Sequence, residues 1–190
     1  QQVFGTLRLL GYEQAAKCHH LAYGMVVLKD GKMSSRKGNV VPFAELKDQL
    51  VAHIRREYLD KQIGDLGEAE VAETARRVAI ATIKYGMLNQ DNNKNIVFDL
   101  AEWTSPRRNT GPYLLYAYAR TRSILRELKG YDLAKADFSL LVDPAETELA
   151  KSMARFPRDA EDAAAQYLPQ LLCIYLYDLS RDLSRFYESC

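Results

Sequence analysis

The sequence has few cysteines, no long apolar run and almost no net charge. Its three cysteines, at positions 18, 173 and 190, are too far apart and of the wrong number for a disulfide framework, so we expect a reducing, cytoplasmic setting. No run approaches the roughly 18 apolar residues that a membrane-spanning helix needs, and we expect no membrane partner. The histidines have no metal-ligand spacing with the cysteines, so we assign no metal site.

The length and composition allow an ordinary folded core. The chain has 190 residues, of which 47% are apolar, enough for one large domain or a small piece joined to a medium domain. The first residues, Gln-Gln-Val-Phe, carry neither an initiator methionine nor a signal-peptide pattern and are typical of the middle of a helix. We therefore expect the chain to be part of a longer polypeptide.

Hydrophobic periodicity predicts a mainly α-helical chain, a helical bundle preceded by a small α/β segment. Residues 20–28 are rich in β-branched and apolar types and predict a strand, followed by a tight turn at Asp30-Gly31, a mobile loop over 29–39 and a short return at Val40-Val41. Residues 95–100 predict a second short extended segment. Helices are predicted over residues 1–10, 42–58, 68–89, 112–129, 143–167 with a break near Pro157, and 169–190.

The net charge of +1 conceals two basic segments. Residues 104–130 contain six basic side chains and one acidic one, and residues 29–40 contain four basic and one acidic. Residues 131–190 are acidic overall. Such a chain can bind a polyanion at two places without binding polyanions in general. The alternative is that both segments are ordinary solvated surface.

The first basic segment contains a compact motif. Three cations and two hydroxyls fall within six residues, between Gly31 and Gly38; they are Lys32, Ser34, Ser35, Arg36 and Lys37. Lysine offers a point charge and arginine a bidentate fork, so such a loop can close over a triphosphate and stabilise the charge on a leaving pyrophosphate. The alternative is an exposed basic hairpin loop without a ligand.

The second basic segment combines aromatic and cationic side chains. Tyr113, Tyr116 and Arg120 are spaced i, i+3 and i+7, which places them on one face of a helix. Two aromatic rings and a guanidinium can stack with unpaired bases, while nearby arginines hold backbone phosphates. Those arginines are Arg107, Arg108, Arg122 and Arg126. The alternative is that these tyrosines belong to the core, since an aromatic stripe at helical spacing usually does.

Both motifs resemble those of one enzyme family, the class I arginyl-tRNA synthetases. Lys32-Met33-Ser34-Ser35-Arg36-Lys37 is similar to the Lys-Met-Ser-Lys-Ser signature of class I synthetases, although Ser35 stands at the second lysine position, and Arg36 or Lys37 would take over its role. The segment 109–120, Asn-Thr-Gly-Pro-Tyr-Leu-Leu-Tyr-Ala-Tyr-Ala-Arg, resembles the opening helix of the family's anticodon-binding domain. Residues 83–88, 96–99 and 184–187 resemble the same family, so the similarity covers essentially the whole chain.

The resemblance implies three parts. Residues 1–43 would be the end of the class I catalytic domain with its signature loop, 44–108 a helical connecting region that contacts the tRNA stem, and 109–190 an α-helical anticodon-binding domain, truncated at its C-terminus. The activity implied is ATP-dependent ligation of arginine to its tRNA, with magnesium accompanying the ATP. We expect the 190 residues alone to make no adenylate, because the family's histidine signature and arginine pocket are not among them.

The resemblance also implies roles for particular residues. The catalytic loop would comprise Lys32, Met33, Ser34, Ser35, Arg36 and Lys37. The tRNA would be held by Tyr113, Tyr116, Arg120, Arg107, Arg108 and, on the last helix, Tyr187. The expected partners are arginine-accepting tRNA, ATP and arginine, with no DNA. Two alternatives stay open, another class I synthetase and a non-catalytic RNA-binding protein derived from a synthetase.

Overall fold

The computed structural model describes residues 2–29, 31–32, 41–128, 130 and 132–190. This part of the chain is mainly helical, as predicted, and contains nine α-helices and three short strands. The helices are α1 Gln2–Leu9, α2 Phe43–Ile54, α3 Ile63–Leu66, α4 Glu68–Leu88, α5 Leu100–Trp103, α6 Gly111–Glu127, α7 Pro144–Ala154, α8 Phe156–Gln166 and α9 Gln170–Ser189. The strands are β1 Val26–Leu28, β2 Gly31–Lys32 and β3 Ile96–Phe98.

The three strands form one small mixed sheet in the order β2-β1-β3. Strand β1 pairs antiparallel with β2, with Leu28 opposite Gly31, and parallel with β3, with Leu28 opposite Phe98. The extended segment predicted over residues 95–100 is confirmed by β3. Asp30 of the predicted tight turn and residues 33–39 of the predicted mobile loop lie outside the described residues. The parallel pairing of β1 with β3 brings the residues that follow each strand, Lys29 and Asp99, to the same edge of the sheet.

Two details of the predicted hairpin were wrong. The first strand covers Val26–Leu28 and not residues 20–28, because the preceding backbone bonds to a turn: Gly24 N donates to the Asn92 carbonyl (2.7 Å) and Met25 N to Asn95 Oδ1 (3.0 Å). The return strand is Gly31–Lys32, which pairs with β1 directly after the turn. Val41 lies outside any strand, and Val40 is outside the described residues.

The main core lies between α2, α4 and the sheet. Leu50 and Ile54 of α2 are almost fully buried against Ala75 and Ala79 of α4, and Phe98 of β3 closes the cluster. The alanines let the two helices approach closely, and burying this apolar surface is the main source of stability in a fold of this kind. The helix predicted over residues 68–89 is confirmed as α4.

The second half of the chain packs α6, α7 and α8 against α9. Helix α6 begins where predicted, with Thr110 as its N-cap accepting a hydrogen bond from Tyr113 N (3.3 Å). Its first residue, Gly111, crosses α4 so closely that a Cβ would lie 2.9 Å from the Ala81 carbonyl oxygen. The predicted break near Pro157 is also confirmed, since α7 ends at Ala154 and α8 carries Pro157 in its first turn.

Candidate nucleic-acid interface

Arg120 lies between two tyrosine rings. Its Nη2 donates to the hydroxyl of Tyr116, one helical turn earlier, over 2.7 Å. Its Cζ lies 4.9 Å from the centre of the Tyr116 ring and 4.3 Å from the centre of the Tyr187 ring, near the end of α9. Both distances are those of cation–π contacts. We call Tyr116, Arg120 and Tyr187 the stacking platform.

The stacking platform is open to solvent. Tyr116 is 54% exposed and Tyr187 is 49% exposed, while Arg120 between them is partly buried. An exposed aromatic ring can stack with an unpaired base, because every base has a π-face. A neighbouring cation can attract the electron-rich acceptor atoms of the same base. The guanidinium retains donors that the single bond to Tyr116 does not use.

Tyr113 is placed differently from the platform. It is partly buried, and its ring lies 5.4 Å from the ring of Tyr177 in α9 at an interplanar angle of 51°. Tyr113 therefore helps to join α6 to α9. The sequence did not single out Tyr177, because it lies within the apolar run of the last helix and carries no signal of its own.

Arg107 and Arg108 lie in the exposed loop before α6. Arg108 Nη1 is 3.2 Å from Glu102 Oε1 of α5, and Arg107 N donates to the Ser105 hydroxyl (3.3 Å). The Thr110 hydroxyl donates to the Ser105 carbonyl and thus closes the loop. Both side chains are exposed near the start of the helix that carries the platform.

Tyr85 of α4 anchors this loop. It is 8% exposed, and its hydroxyl contacts the Asn109 carboxamide and the carbonyl oxygen of Cys173 in α9 (3.0 Å). Burial raises the pKa of the Tyr85 hydroxyl, so it stays protonated and able to donate. One side chain of α4 thus links the loop before α6 to α9. Sequence reasoning assigned no role to Tyr85.

Most of the candidate motif of the first basic segment lies outside the described residues. This applies to Met33, Ser34, Ser35, Arg36 and Lys37, whereas Lys32 belongs to β2. The residue before the turn is described: Lys29 Nζ lies 2.8 Å from Asp99 Oδ2.

The same Asp99 caps α5. Its other oxygen, Oδ1, accepts from Glu102 N (2.9 Å). The Lys29 ammonium holds the pKa of the Asp99 carboxyl below its usual range, and the bond from Glu102 N acts in the same direction. The start of the first basic segment, at Lys29, is thereby tied to α5 at the carboxyl ends of β1 and β3.

Metal-binding groups and membrane-spanning helices were sought in the part of the chain that the structure describes. There, no three histidine, cysteine or acidic side chains gather as a metal-binding group. Among the same residues, no helix combines the length and apolarity that crossing a bilayer requires. Cys18, Cys173 and Cys190 form no disulfide.

Two family models match the sequence. Residues 1–100 match tRNA synthetases class I (R), catalytic domain, and residues 114–190 match the DALR anticodon binding domain. An arginine–tRNA ligase of Bdellovibrio bacteriovorus is 42% identical over 190 residues, which are 100% of this chain and 33% of that protein. An arginine–tRNA ligase of Treponema pallidum is 40% identical over 195 residues, covering 99% of this chain and 33% of that protein.

Solved structures agree with these matches. The arginyl-tRNA synthetase of Thermus thermophilus superimposes with a TM-score of 0.81 at 31% identity, over 99% of this chain and 30% of that one. The arginyl-tRNA synthetase of Plasmodium falciparum shares the fold, with a TM-score of 0.69 at 24% identity over 80% of this chain and 27% of that one. The chain spans about a third of the length of the relatives it matches. The resemblance seen in the sequence is confirmed, and the chain belongs to the arginine class of the class I tRNA synthetases.

Proposed function

We propose that this chain is part of an enzyme that uses ATP to join arginine to its tRNA, and that it supplies the anticodon-binding helices and the loop that steadies the triphosphate. The family match and the names of the relatives support the activity. The observation that carries the role of the helices is the placement of Arg120 between Tyr116 and Tyr187. We place the enzyme in the cytoplasm, consistent with cysteines that form no disulfide.

The stacking platform would bind unpaired bases of the anticodon loop. Bases in a loop can turn away from the RNA and stack on aromatic rings or guanidinium planes, while their edges stay free to accept hydrogen bonds. The outer faces of Tyr116 and Tyr187 would stack, and Arg120 would donate to base acceptors. Tyr113, packed on Tyr177, would act by fixing α6 on α9 and would touch the RNA with its exposed part.

Arg107 and Arg108 would hold backbone phosphates beside the platform. Both side chains are exposed. A contact to a phosphate does not identify a base, so these arginines would raise affinity for the RNA and not specificity for its sequence. Arg122 and Arg126 on α6 add to the same positive field; both are exposed.

The chain divides into three parts in this proposal, and the matched ranges bear on only one of the two boundaries, because the catalytic-domain match runs to residue 100. We propose that residues 1–43 complete the catalytic domain, 44–108 contact the tRNA stem and 109–190 bind the anticodon. The matched ranges, 1–100 and 114–190, support a boundary near the loop before α6. The core formed by α2 and α4 also packs against the sheet, which supports a rigid connection between residues 1–43 and residues 44–108.

The signature loop would act on ATP during adenylate formation. Lys32, Arg36 and Lys37 would neutralise the triphosphate, while Ser34 and Ser35 would donate hydrogen bonds and Met33 would complete the motif. Charge that builds on the departing pyrophosphate would be stabilised by these fixed cations. Magnesium would arrive with the ATP. The sequence motif and the class I family support this role.

Binding of arginine-accepting tRNA to the chain tests the platform. Arg120→Ala should weaken binding about five- to 150-fold, since a stacked base contributes about 1–3 kcal/mol. Arg122→Ala is the matched control: it removes the same charge from the same helix, two residues away. If both variants weaken binding equally, Arg120 acts only as a charge and the platform does not bind a base.

A hybrid enzyme tests the loop. The 190 residues would replace the corresponding third of the Bdellovibrio ligase, and ATP–pyrophosphate exchange with arginine would be measured. Arg36→Ala and Lys37→Ala should lower exchange at least tenfold, whereas Lys61→Ala, which changes an exposed lysine outside the motif, should not. Exchange that is unaffected by both loop variants would reject this role. The 190 residues alone should give no exchange.

A further inference from the structure

A cavity of about 390 Å³ lies beneath the loop that carries Arg107 and Arg108. Its walls come from the end of α4, from β3, from α5 and from the start of α6. Four carboxamide side chains line it, together with the Trp103 indole and the Arg108 guanidinium; the carboxamides are Asn89, Gln90, Asn95 and Asn109. Its size is at the lower end of the range, about 300–1,000 Å³, of pockets that hold small ligands.

Hydrogen bonding fixes the orientation of one of these carboxamides. The Tyr85 hydroxyl lies within bonding distance of Asn109 Oδ1 and of the Cys173 carbonyl oxygen. A tyrosine hydroxyl has one hydrogen and both neighbours are acceptors, so it cannot donate to both. Its hydrogen goes to Asn109 Oδ1, because a separation of 2.5 Å is typical of an O–H···O bond and too short for an N–H···O bond. The Asn109 NH2 group has no partner among the described residues and is left to donate to a ligand.

The other carboxamides also have unused groups. Asn95 Oδ1 accepts from Met25 N (3.0 Å), and Asn89 Nδ2 donates to the Asn109 carbonyl oxygen (3.4 Å). Among the described residues, the Asn95 NH2 group, the Asn89 oxygen and both polar ends of Gln90 have no protein partner. The cavity therefore offers both donors and acceptors, from residues directly after α4 and directly before β3.

This set of groups matches the edge of a nucleobase. Each base carries adjacent donors and acceptors on its Watson–Crick edge, and carboxamides can bond to both kinds at once. The indole of Trp103 supplies an aromatic wall, and Arg108, whose Nη1 lies 3.2 Å from Glu102 Oε1, also lines the cavity. A carboxylate or phosphate ligand would fit less well, because Glu102 also lines the cavity.

The cavity and the stacking platform lie on opposite sides of α6. Gly111 lines the cavity and faces α4, whereas Arg120 comes nine residues later, which is two and a half turns of a helix with 3.6 residues per turn. A nucleotide in the cavity would therefore be a different one from that on the platform.

We propose that this cavity binds a second unpaired base of the tRNA, through the carboxamides of Asn89, Gln90, Asn95 and Asn109. The proposal rests on the proposed function, because it takes the same RNA as ligand. It adds a base contact on the side of α6 that faces α4 and the sheet, between the anticodon helices and the catalytic end of the chain.

Asn95→Asp is the most selective test. It keeps the oxygen that accepts from Met25 N but replaces the free NH2 donor with a negatively charged acceptor. Asn93→Asp is the matched control, because it makes the same charge change at an exposed position two residues away that does not line the cavity. Gln90→Ala, an exposed position, serves as a second cavity variant that leaves the packing intact.

The readout is chemical probing of Watson–Crick edges in an arginine-accepting tRNA transcript, free and bound to each variant. We expect the wild-type chain to protect two separate unpaired sites. Asn95→Asp and Gln90→Ala should remove protection at one of them and weaken binding about two- to tenfold, the effect of one lost hydrogen bond. Arg120→Ala should remove protection at the other.

Each failure is distinguishable. If Asn95→Asp, Gln90→Ala and Asn93→Asp give the wild-type protection pattern, the cavity holds no base and the proposal is overturned. If Arg120→Ala leaves every protected site unchanged, the platform assignment fails, while the loss caused by Asn95→Asp still supports the cavity.

Discussion

The guanidinium carbon of Arg120 in α6 lies 4.3 Å from the centre of the Tyr187 ring in α9. This contact joins two helices that are far apart in the sequence, and it completes the platform that Tyr116 begins. The geometry of the stacking platform therefore depends on how α9 packs on α6. Tyr113 and Tyr177 hold that packing a short way along the same pair of helices.

Tyr187 should contribute through its ring and not through its hydroxyl. Tyr187→Phe keeps the aromatic face beside Arg120 and should bind tRNA within about twofold of wild type, because the hydroxyl adds little to stacking. Tyr187→Ala removes the face and should weaken binding at least fivefold, about 1 kcal/mol. A titration of labelled tRNA measures both.

Equal loss in Tyr187→Phe and Tyr187→Ala would show that the hydroxyl, and not the ring, makes the contact. Circular dichroism of each variant is the control, since Tyr187 is half exposed and its replacement should leave the helix content unchanged.

Arg107 should act through its charge alone. Arg107→Ala should weaken binding to wild-type and anticodon-altered tRNA by the same factor, because a phosphate contact carries no base information. It should also reduce the slope of log binding constant against log salt by about 0.7–0.9, the release of one counterion. An unchanged slope would remove Arg107 from the interface.

Gly86 is required by the packing of Trp103. A Cβ at position 86 would lie 2.4 Å from the indole ring, so Gly86→Ala must displace the ring or the helix. We expect a loss of about 1–3 kcal/mol in the free energy of unfolding, typical of overpacking. Urea denaturation measures it.

Gly64→Ala is the control for that substitution. Nothing lies within 4 Å of a Cβ at position 64, and the residue is within α3. Alanine there should leave stability unchanged or raise it slightly, because it restricts the unfolded chain. A similar loss in both variants would show that Trp103 does not cause the effect.

Asp99 should make stability depend on pH. Its carboxyl pKa is lower in the folded chain, so its ionised form adds stability above the unfolded pKa of about 3.9, and that stability is lost as the pH falls through the folded pKa. Asp99→Asn retains an oxygen to cap α5 but loses the ion pair with Lys29. The difference in unfolding free energy between wild type and Asp99→Asn should be present at pH 7 and shrink below about pH 4.

A pH-independent difference between these two proteins would mean that the carboxamide disturbs packing and that the ion pair contributes nothing. The ion pair is partly exposed, so the difference should also diminish in high salt.

The sequence predicted the helices well and the bounds of the first two strands poorly. Helices such as α4 and α6 have long apolar periods and clear ends, including Thr110 and Pro112 at the start of α6. The strands are two or three residues long, and their ends depend on distant partners. Strand β1 begins at Val26 because the backbone N–H groups of Gly24 and Met25 donate to the turn before β3. No local pattern reports such a contact.

The candidate site was predicted in part. Helical spacing grouped Tyr113, Tyr116 and Arg120 on one face, and in the structure Tyr116 and Arg120 are neighbours. Spacing alone did not separate Tyr113, which packs on Tyr177, because that depends on where α9 lies. The contact of Tyr187 with Arg120 and the anchoring role of Tyr85 likewise depend on tertiary packing, which local sequence patterns do not report.

The most direct test of the central claim is binding of the chain to arginine-accepting tRNA and to the same tRNA with its anticodon bases changed, at two salt concentrations. We predict that the altered tRNA binds at least tenfold more weakly, about 1.4 kcal/mol, at both concentrations. Equal binding of the two RNAs, fading together as salt rises, would contradict the claim, because the chain would then hold only phosphates.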